Sequence, residues 1–325
     1  KFQTIGFDIN KRRVNQLKNF KDINNEFSIN DIKNSKKTSF YSNFDKVNKS
    51  SIYIVTVPTP VKKNNQPDLS LVLNACSLIA RKIKKKDIVV FESTVYPGAT
   101  EEEFIPKIEK ISGLKGNLDF FYGYSPERVN PGDKNKKLAN ILKIVSGSDK
   151  KTTNKLKKLY ASIIKAGIYV AESIKIAEAA KIIENTQRDL NIALINELVL
   201  IFNKLKIDTN KILNAANTKW NFLDFKPGLV GGHCIGVDPY YLTYKAKKVG
   251  YNSKVILAGR KINNYLPTYL TKNLVKKLSK KFKIKKCKIL IMGFTFKENC
   301  SDIRNTKVED MMKYLDKKTA QVDIL

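Results

Sequence analysis

The hydrophobic pattern in the first half of the chain alternates between short apolar runs and helical repeats. Runs rich in β-branched and aromatic residues at 51–57, 87–91 and 120–124 predict strands buried on both faces, as in a parallel sheet. Apolar residues at 69–83 recur at helical spacing, and the acids at 101–103 favour a helix start, where negative charge is stabilised. This order predicts an open parallel α/β sheet that binds its ligand at the carboxyl ends of the strands.

One long helical repeat dominates the middle of the chain. Between 172 and 206, apolar residues recur at spacings of three and four without glycine or proline, which predicts one continuous helix. About 30 residues would extend roughly 50 Å, and we expect such a helix to bridge domains or form a subunit interface. On it, Lys181 and Asn185 share a face because they are four residues apart. Their spacing fits a ligand-facing pair or a solvated pair, and considered alone it favours solvation.

Beyond the long helix, the pattern predicts a further small α/β region. Helices are expected from near Pro239 and over 253–281, followed by a strand at 287–293, a helix at 308–315 and a strand that begins near 320. Because two strands do not make a stable sheet, we expect this last region to be part of a larger one.

The charge of the chain raises one alternative class of protein. The 325 residues contain 61 Lys and Arg against 30 Asp and Glu, a net charge of +31, as in a non-catalytic polyanion-binding protein. The lysines, however, are spread along the whole chain and form no recognisable nucleic-acid-reading motif. We therefore interpret the charge as a composition bias and expect no nucleic-acid partner.

Cysteine content and hydropathy indicate the cellular location of the protein. Four cysteines without CxxC spacing, and a single histidine, indicate neither a metal site nor a disulfide framework. The chain has no apolar run of about 18 residues and no signal-peptide pattern at its start. We therefore expect a soluble, cytoplasmic protein with no membrane partner.

The densest chemistry lies in the loop at 227–242. It contains four glycines and the only histidine, His233, together with Cys234 and Asp238. Glycines let a backbone approach a ligand closely, and a cysteine followed four residues later by a carboxylate is a candidate nucleophile. The alternative is a turn-rich loop with an inert, buried thiol. We interpret His233 as a positioning or substrate-contact residue and not as a base, because neighbours on an extended loop point in different directions.

An acid ends the first strand-like run, at 4–8, and a helical pattern follows at 11–17. In a Rossmann unit such an acid holds the ribose hydroxyls of a dinucleotide, about twenty residues after a glycine-rich turn. The printed sequence carries no such turn before Asp8. Asp8 therefore fits either a dinucleotide-binding residue, with the first strand and the turn lying before the chain, or an exposed loop acid.

Several motifs follow one another in a fixed order along the chain. They are Gly-Phe-Asp at 6–8, Val-Pro-Thr-Pro at 57–60, Glu-Ser-Thr-Val-Tyr-Pro-Gly at 92–98, Ser-Pro-Glu-Arg at 125–128, Ala-Glu-Ala-Ala-Lys at 177–181, the Cys234 loop and the segment 293–304. Together they resemble the UDP-glucose/GDP-mannose dehydrogenase family of NAD-dependent nucleotide-sugar dehydrogenases. The Cys234 loop is most similar to enzymes acting on UDP-N-acetylglucosamine or UDP-N-acetylgalactosamine. UDP-glucose and UDP-N-acetylmannosamine 6-dehydrogenases are the alternatives.

The resemblance implies an α/β fold with two Rossmann-like parallel-sheet domains joined by the long central helix, and with the first strand and the C-terminal sheet incomplete. It assigns 1–171 to an NAD-binding domain, 172–284 to a central helical region that dimerises and carries the catalytic loop, and 285–325 to the start of a UDP-binding α/β domain. It also implies that the protein is a homodimer. Its product would be a precursor for surface polysaccharides.

The implied reaction oxidises the C6 hydroxyl of a UDP-sugar to a carboxylate, a four-electron change that reduces two NAD+. Lys181 and Asn185 would stabilise the developing alkoxide, while Asp238 would orient a water or accept protons. Cys234 would attack the aldehyde to form a thiohemiacetal, which is oxidised to a thioester.

The resemblance assigns the remaining contacts as well. Glu127 corresponds to a carboxylate that assists thioester hydrolysis, and Thr94 to a hydroxyl that contacts water and cofactor. The other NAD contacts implied are Asp8, Arg13, Thr59 and Arg304, and the other substrate contacts are Arg128, Val129, Gly231, His233 and Lys297, besides Glu127, Lys181 and Asn185.

Overall fold

The structure is a computed structural model, and it describes residues 2–23, 27–35, 37–47, 50–129, 137–296, 302–318 and 321–325. Contacts divide the chain into two units. Unit 1 comprises Lys1–Pro58, Ser70–Ser93 and Ala99–Ile174, and unit 2 comprises Thr59–Leu69, Thr94–Gly98 and Lys175–Leu325.

Unit 1 contains two β-sheets. A two-stranded parallel sheet is formed by β1 (Thr4–Phe7) and β2 (Thr38–Tyr41). A five-stranded sheet follows the chain order β3 (Ile52–Val55), β4 (Ile88–Phe91), β5 (Phe121–Tyr124), β6 (Lys143–Gly147) and β7 (Ile168–Val170). The predicted strands at 51–57, 87–91 and 120–124 are thus confirmed, and the three pair in parallel. The predicted burial on both faces holds for β4 but is wrong for β3, where Ile54 is 46% exposed.

The pairing of β5 with β6 departs from the predicted all-parallel sheet, because these strands run antiparallel. A parallel connection needs a long crossover, usually a helix. Among the described residues between the two strands, only the short 3₁₀ turn Leu138–Asn140 is helical. The strands meet closely where Gly123 faces Gly147, since a Cβ on Gly123 would lie 2.7 Å from the Ser146 carbonyl oxygen.

The helices of unit 1 are α1 (Lys11–Lys18), α2 (Ile29–Asn34), α3 (Ser70–Ala80), α4 (Ile105–Ser112) and α5 (Lys150–Ala161). The acids at 101–103 do not open an α-helix directly. They lie in a π-helical turn, Thr100–Phe104, that leads into α4. Cys76, on the apolar face of α3, is fully buried. Side chains of β4, β6, α5 and the turn that follows α5 form a core cluster, which consists of Ile88, Val90, Val145, Leu156, Tyr160 and Ile164.

Unit 2 is mainly helical. The predicted long helix is confirmed as α6 (Ile174–Leu205), with 32 residues. It is followed by α7 (Thr209–Ala216), α8 (Asp238–Lys248), α9 (Lys254–Ser279), β8 (Lys288–Ile291), α10 (Val308–Asp316) and β9 (Gln321–Ile324). The last two strands pair in parallel. Within the described ranges, no helix combines the length and apolarity needed to cross a membrane.

Candidate active site

The Cys234 loop forms a tight turn before α8. The Cys234 carbonyl oxygen accepts hydrogen bonds from the N–H groups of Val237 at 3.0 Å and Asp238 at 2.8 Å. Gly232 has a φ of +81°, and a Cβ there would lie 2.8 Å from the ring of Phe296. Only glycine fits this position without strain, because other residues avoid positive φ. The turn therefore holds Cys234 one helical turn from the carboxylate of Asp238.

Lys181 and Asn185 are not a solvated pair, so the interpretation from spacing alone was wrong. Lys181 is 8% exposed, and Asn185 Nδ2 donates a hydrogen bond of 2.6 Å to Asp238 Oδ2. Asp238 itself is 2% exposed. Because α6 presents both residues to the start of α8, the unit gathers a cation, an amide and a carboxylate beside the cysteine loop.

Burial raises the pKa values of both Cys234 and Asp238, while the positive charge of Lys181 opposes this shift. Burial, followed by the negative charge of Asp238, raises the pKa of the Cys234 thiol to about 11, and Lys181 acts in the opposite direction. Burial raises the pKa of Asp238 to about 6, although Lys181 and the Asn185 hydrogen bond favour its ionised form. At neutral pH the thiol is therefore protonated while Asp238 is ionised, so Cys234 needs activation before it can act as a nucleophile.

His233 is held by the segment that precedes α10. Its Nδ1 lies 2.9 Å from Asp302 Oδ2, and Arg304 pairs with the same carboxylate at 2.5 Å. Burial and the Arg304 charge lower the pKa of His233, while the Arg304 hydrogen bond lowers that of Asp302 to about 2. His233 is therefore neutral and hydrogen-bonded at pH 7, as a positioning residue would be. Lys297, a predicted substrate contact, lies outside the described residues.

The predicted cofactor contacts Thr59 and Thr94 belong to the same unit as Cys234. Thr59 Oγ1 donates to the Thr94 carbonyl oxygen at 2.7 Å. Tyr241 of α8 donates from its hydroxyl to the Thr59 carbonyl oxygen at 2.8 Å. The N–H of Gly98 donates to Glu178 of α6 at 2.5 Å. Thr59 is thus held to α8 by Tyr241, and Gly98, four residues after Thr94, is held to α6 by Glu178. Sequence reasoning missed both Tyr241 and Glu178.

A buried polar network joins α6, α9 and the cysteine loop, and it too was missed. Asp189 pairs with Arg260 at 2.6 Å and accepts from Asn263 at 2.7 Å. Asn196 accepts from the N–H of Gly228 and donates to its carbonyl oxygen, both at 2.9 Å. Asn196 also donates to Asn263 at 2.9 Å, which connects the start of the loop to the ion pair. The sequence spacing could have revealed this network, because Asp189 and Asn196 lie on the same face of α6 as Lys181 and Asn185.

Other predicted residues lie in unit 1, where the fit to a dinucleotide can be tested. Asp8 follows β1, its side chain is exposed, and its Oδ1 accepts from the N–H of Asn10 at 2.8 Å. An exposed carboxylate at the carboxyl end of a parallel strand fits the acceptor that ribose hydroxyls need. Arg13 instead pairs with the buried Asp22 at 2.7 Å, so its contact with the cofactor stays a prediction.

Glu127 also lies in unit 1, after β5. Its Oε1 accepts from the N–H groups of Arg128 and Val129, each at 2.7 Å, and its side chain is 45% exposed. The Arg128 guanidinium donates to the Leu142 carbonyl oxygen at 2.7 Å. These contacts fix the carboxylate and leave it accessible.

An exposed acid at the end of a parallel strand, and a helical unit with a cysteine loop, fit the class of dinucleotide-dependent dehydrogenases. Residues 1–164 match the NAD binding domain of the UDP-glucose/GDP-mannose dehydrogenase family, residues 175–265 its central domain, and residues 290–325 its UDP binding domain. The chain belongs to this family. It is an NAD-dependent UDP-sugar dehydrogenase.

Two named proteins and one solved structure are similar to nearly the whole chain. The chain is 52% identical, over 323 residues, to UDP-N-acetyl-D-glucosamine 6-dehydrogenase of Salmonella typhi, with 99% of this chain and 76% of that protein covered. It is also 52% identical, over 321 residues, to the protein of that name from Pseudomonas aeruginosa, with 98% and 76% covered. A solved UDP-D-ManNAc dehydrogenase from Pyrococcus horikoshii superposes with a TM-score of 0.91 at 28% identity, covering 99% of this chain and 77% of that chain.

Proposed function

We propose that this protein oxidises C6 of UDP-N-acetylglucosamine or UDP-N-acetylgalactosamine to the uronate through a covalent intermediate on Cys234. The observation that carries the proposal is the group of Lys181, Asn185 and Asp238 beside the Cys234 loop, in which Lys181 and Asp238 are buried. The 52% identity to proteins named UDP-N-acetyl-D-glucosamine 6-dehydrogenase supports the acetylamino sugar.

The first oxidation needs a proton acceptor and a positive charge near the alcohol oxygen. Asp238, ionised at neutral pH, takes the hydroxyl proton directly or through a water, while the Lys181 ammonium and the Asn185 amide stabilise the alkoxide. When bound, NAD+ accepts the two electrons and the hydrogen that each oxidation removes from C6. The remaining steps are carried by side chains of this chain.

The second oxidation needs a tetrahedral carbon that still bears a hydrogen. Cys234 forms a bond from sulfur to the aldehyde carbon, and the thiol proton moves to the carbonyl oxygen. In the second oxidation, C6 of this thiohemiacetal loses its hydrogen with two electrons and the hydroxyl gives its proton to the Asp238 carboxylate, which leaves a thioester. Water then attacks the thioester, Glu127 accepts a proton from that water, and the carbon–sulfur bond breaks to release the uronate and Cys234.

A comparison of substrates tests the proposed specificity. The purified protein with NAD+ is expected to release two NADH per sugar consumed, with kcat/KM for an N-acetylhexosamine about 10- to 100-fold above that for UDP-glucose. UDP-N-acetylglucosamine, UDP-N-acetylgalactosamine, UDP-N-acetylmannosamine and UDP-glucose are assayed in parallel, and the uronate is measured by mass spectrometry. NADH release from UDP-glucose or UDP-N-acetylmannosamine alone would contradict the substrate assignment.

We also infer that the protein is a homodimer that associates through α6. Ile183, Leu194 and Ile201 are 55%, 55% and 44% exposed, and their spacings of 11 and 7 residues place them on one helix face. Light scattering is expected to give about twice the 37.0 kDa of the chain, and Leu194→Glu should reduce this mass to that of a monomer. Asn203→Asp serves as the control, because Asn203 is an exposed polar residue on the opposite side of α6, two residues after Ile201. A wild-type mass of one chain would sink the inference.

A further inference from the structure

We propose that Lys143 is a positioning residue that holds Glu127 in the orientation needed for thioester hydrolysis. The inference rests on the proposed function, because it takes Glu127 as the group that accepts a proton from the attacking water. Lys143 lies outside the sequence motifs that point to the family, whereas its partners Glu92 and Glu127 belong to two of them.

Lys143 is the first residue of β6, and its side chain is only 4% exposed. Its ammonium nitrogen lies 3.0 Å from Glu92 Oε2 and 3.7 Å from Glu127 Oε2. A buried ammonium is costly unless charged partners surround it, so this position is stable only with both carboxylates nearby. Lys143 therefore forms a bridge between a buried carboxylate and an accessible one.

The buried end of the bridge is fixed. Glu92 follows β4 and is 11% exposed, and its Oε1 accepts a hydrogen bond from the hydroxyl of Tyr160 on α5. Tyr160 is 3% exposed, and burial together with the Glu92 charge raises its pKa well above the usual range. The phenol therefore remains protonated and continues to donate. Because Tyr160 belongs to the core cluster, the Lys143 ammonium has a rigid anchor.

The accessible end of the bridge has the geometry of an oriented base. Glu127 Oε1 is occupied by the N–H groups of Arg128 and Val129, which leaves Oε2 to face Lys143. The side chain is nevertheless 45% exposed, so water can reach the carboxylate. Two backbone donors on one oxygen and an ammonium on the other define the plane of the carboxylate. Misplacing a catalytic group by about 1 Å can cost on the order of 10²-fold in rate.

Lys143→Met tests the proposal. Both oxidations precede hydrolysis, so an initial burst of two NADH per active site is expected to persist while steady-state turnover falls about 10- to 100-fold. A uronyl thioester should then accumulate on Cys234, detectable by mass spectrometry of the acid-quenched protein. A purely structural role for Lys143 would reduce burst and turnover together and would leave no adduct. Lys85→Met, which removes an exposed lysine paired with Asp119, is the matched control.

Two further variants keep the outcome decisive. Lys143→Met combined with Glu92→Gln removes both buried charges, so it protects folding, and the adduct should still accumulate. The proposal is overturned if either Lys143 variant turns over at the wild-type rate and accumulates no adduct. Glu127→Gln tests the role of Glu127 separately from that of Lys143, because loss of the Glu127 carboxylate should also leave the thioester unhydrolysed. If Glu127→Gln forms no adduct, the role of Glu127 in the proposed function fails; if it does and the Lys143 variants do not, only the role of Lys143 fails.

Discussion

Cys234→Ala is expected to lower uronate formation by on the order of 10³-fold or more, because the second oxidation then lacks the thiohemiacetal on which it depends. Substrate binding and the first oxidation do not need the sulfur. A small release of NADH without matching uronate is therefore expected, together with an aldehyde that a hydrazine reagent can trap.

No other described thiol is placed to replace Cys234. Cys76 is fully buried in unit 1, and burial raises its pKa to about 12. Cys287 precedes β8, where its sulfur lies 3.7 Å from the Lys283 carbonyl oxygen. Cys287→Ala is therefore the matched control, since it removes a partly exposed thiol of the same unit and should leave turnover unchanged. The fourth cysteine, Cys300, lies outside the described residues.

The measurement is uronate by mass spectrometry and NADH by absorbance in the same reaction. Circular dichroism on Cys234→Ala and Cys287→Ala establishes that each variant is folded. Undiminished uronate from Cys234→Ala would refute the covalent role of the thiol. In that case the aldehyde would have to be oxidised as a hydrate, and the loop would serve binding alone.

Much of the fold could be predicted from the sequence, because its strands and helices carry apolar residues in regular patterns. The run that became β4 is fully buried, those of β3 and β5 are buried in part, and the uninterrupted repeat of α6 has the period of a helix. Element ends were less predictable. The acids at 101–103, for example, lie in a π-helical turn whose hydrogen-bond register leaves no mark in the hydrophobic period.

Features that depend on distant parts of the chain could not be predicted this way. The direction of β6 follows from how the chain returns after β5, which local periodicity does not encode. The contact of Asn185 depends on α8, where Asp238, 53 residues away, accepts a hydrogen bond from the Asn185 amide. A polar pair on one helix face has the same local pattern whether water or another helix covers it. The resemblance identified these residues, while their contacts became visible only in the folded unit.

Asp238→Asn is expected to reduce kcat/KM about 100-fold while making Cys234 more reactive towards an alkylating reagent. The loss of rate follows from removing a proton acceptor beside the sugar oxygen. The gain in thiol reactivity follows because the Asp238 charge helps to raise the pKa of Cys234 to about 11. Without that charge the pKa of Cys234 falls, so a larger fraction is thiolate at any pH below it. Nucleophilicity declines less steeply than this fraction grows, and alkylation should therefore accelerate.

The pH dependence of the wild-type protein gives a second test of Asp238. Its pKa is raised to about 6, chiefly by burial, so the carboxylate is ionised above that pH and protonated below it. On lowering the pH through 6, kcat/KM should fall towards a slope of tenfold per unit, because only the ionised form accepts a proton. Asp238→Asn should lose this acidic limb, since the titrating group is gone.

The two measurements separate catalysis from folding. Alkylation of Cys234 is followed by peptide mass spectrometry, with Asp87→Asn as control, because Asp87 is a buried aspartate of unit 1 whose pKa is also raised by burial. That control should change neither the alkylation rate nor the acidic limb. A global loss of structure in Asp238→Asn would accelerate alkylation of the buried Cys76 as well, whereas the charge effect is confined to Cys234. Slower alkylation of Cys234, or an acidic limb that survives in Asp238→Asn, would show that another group governs both the thiol and the proton transfer.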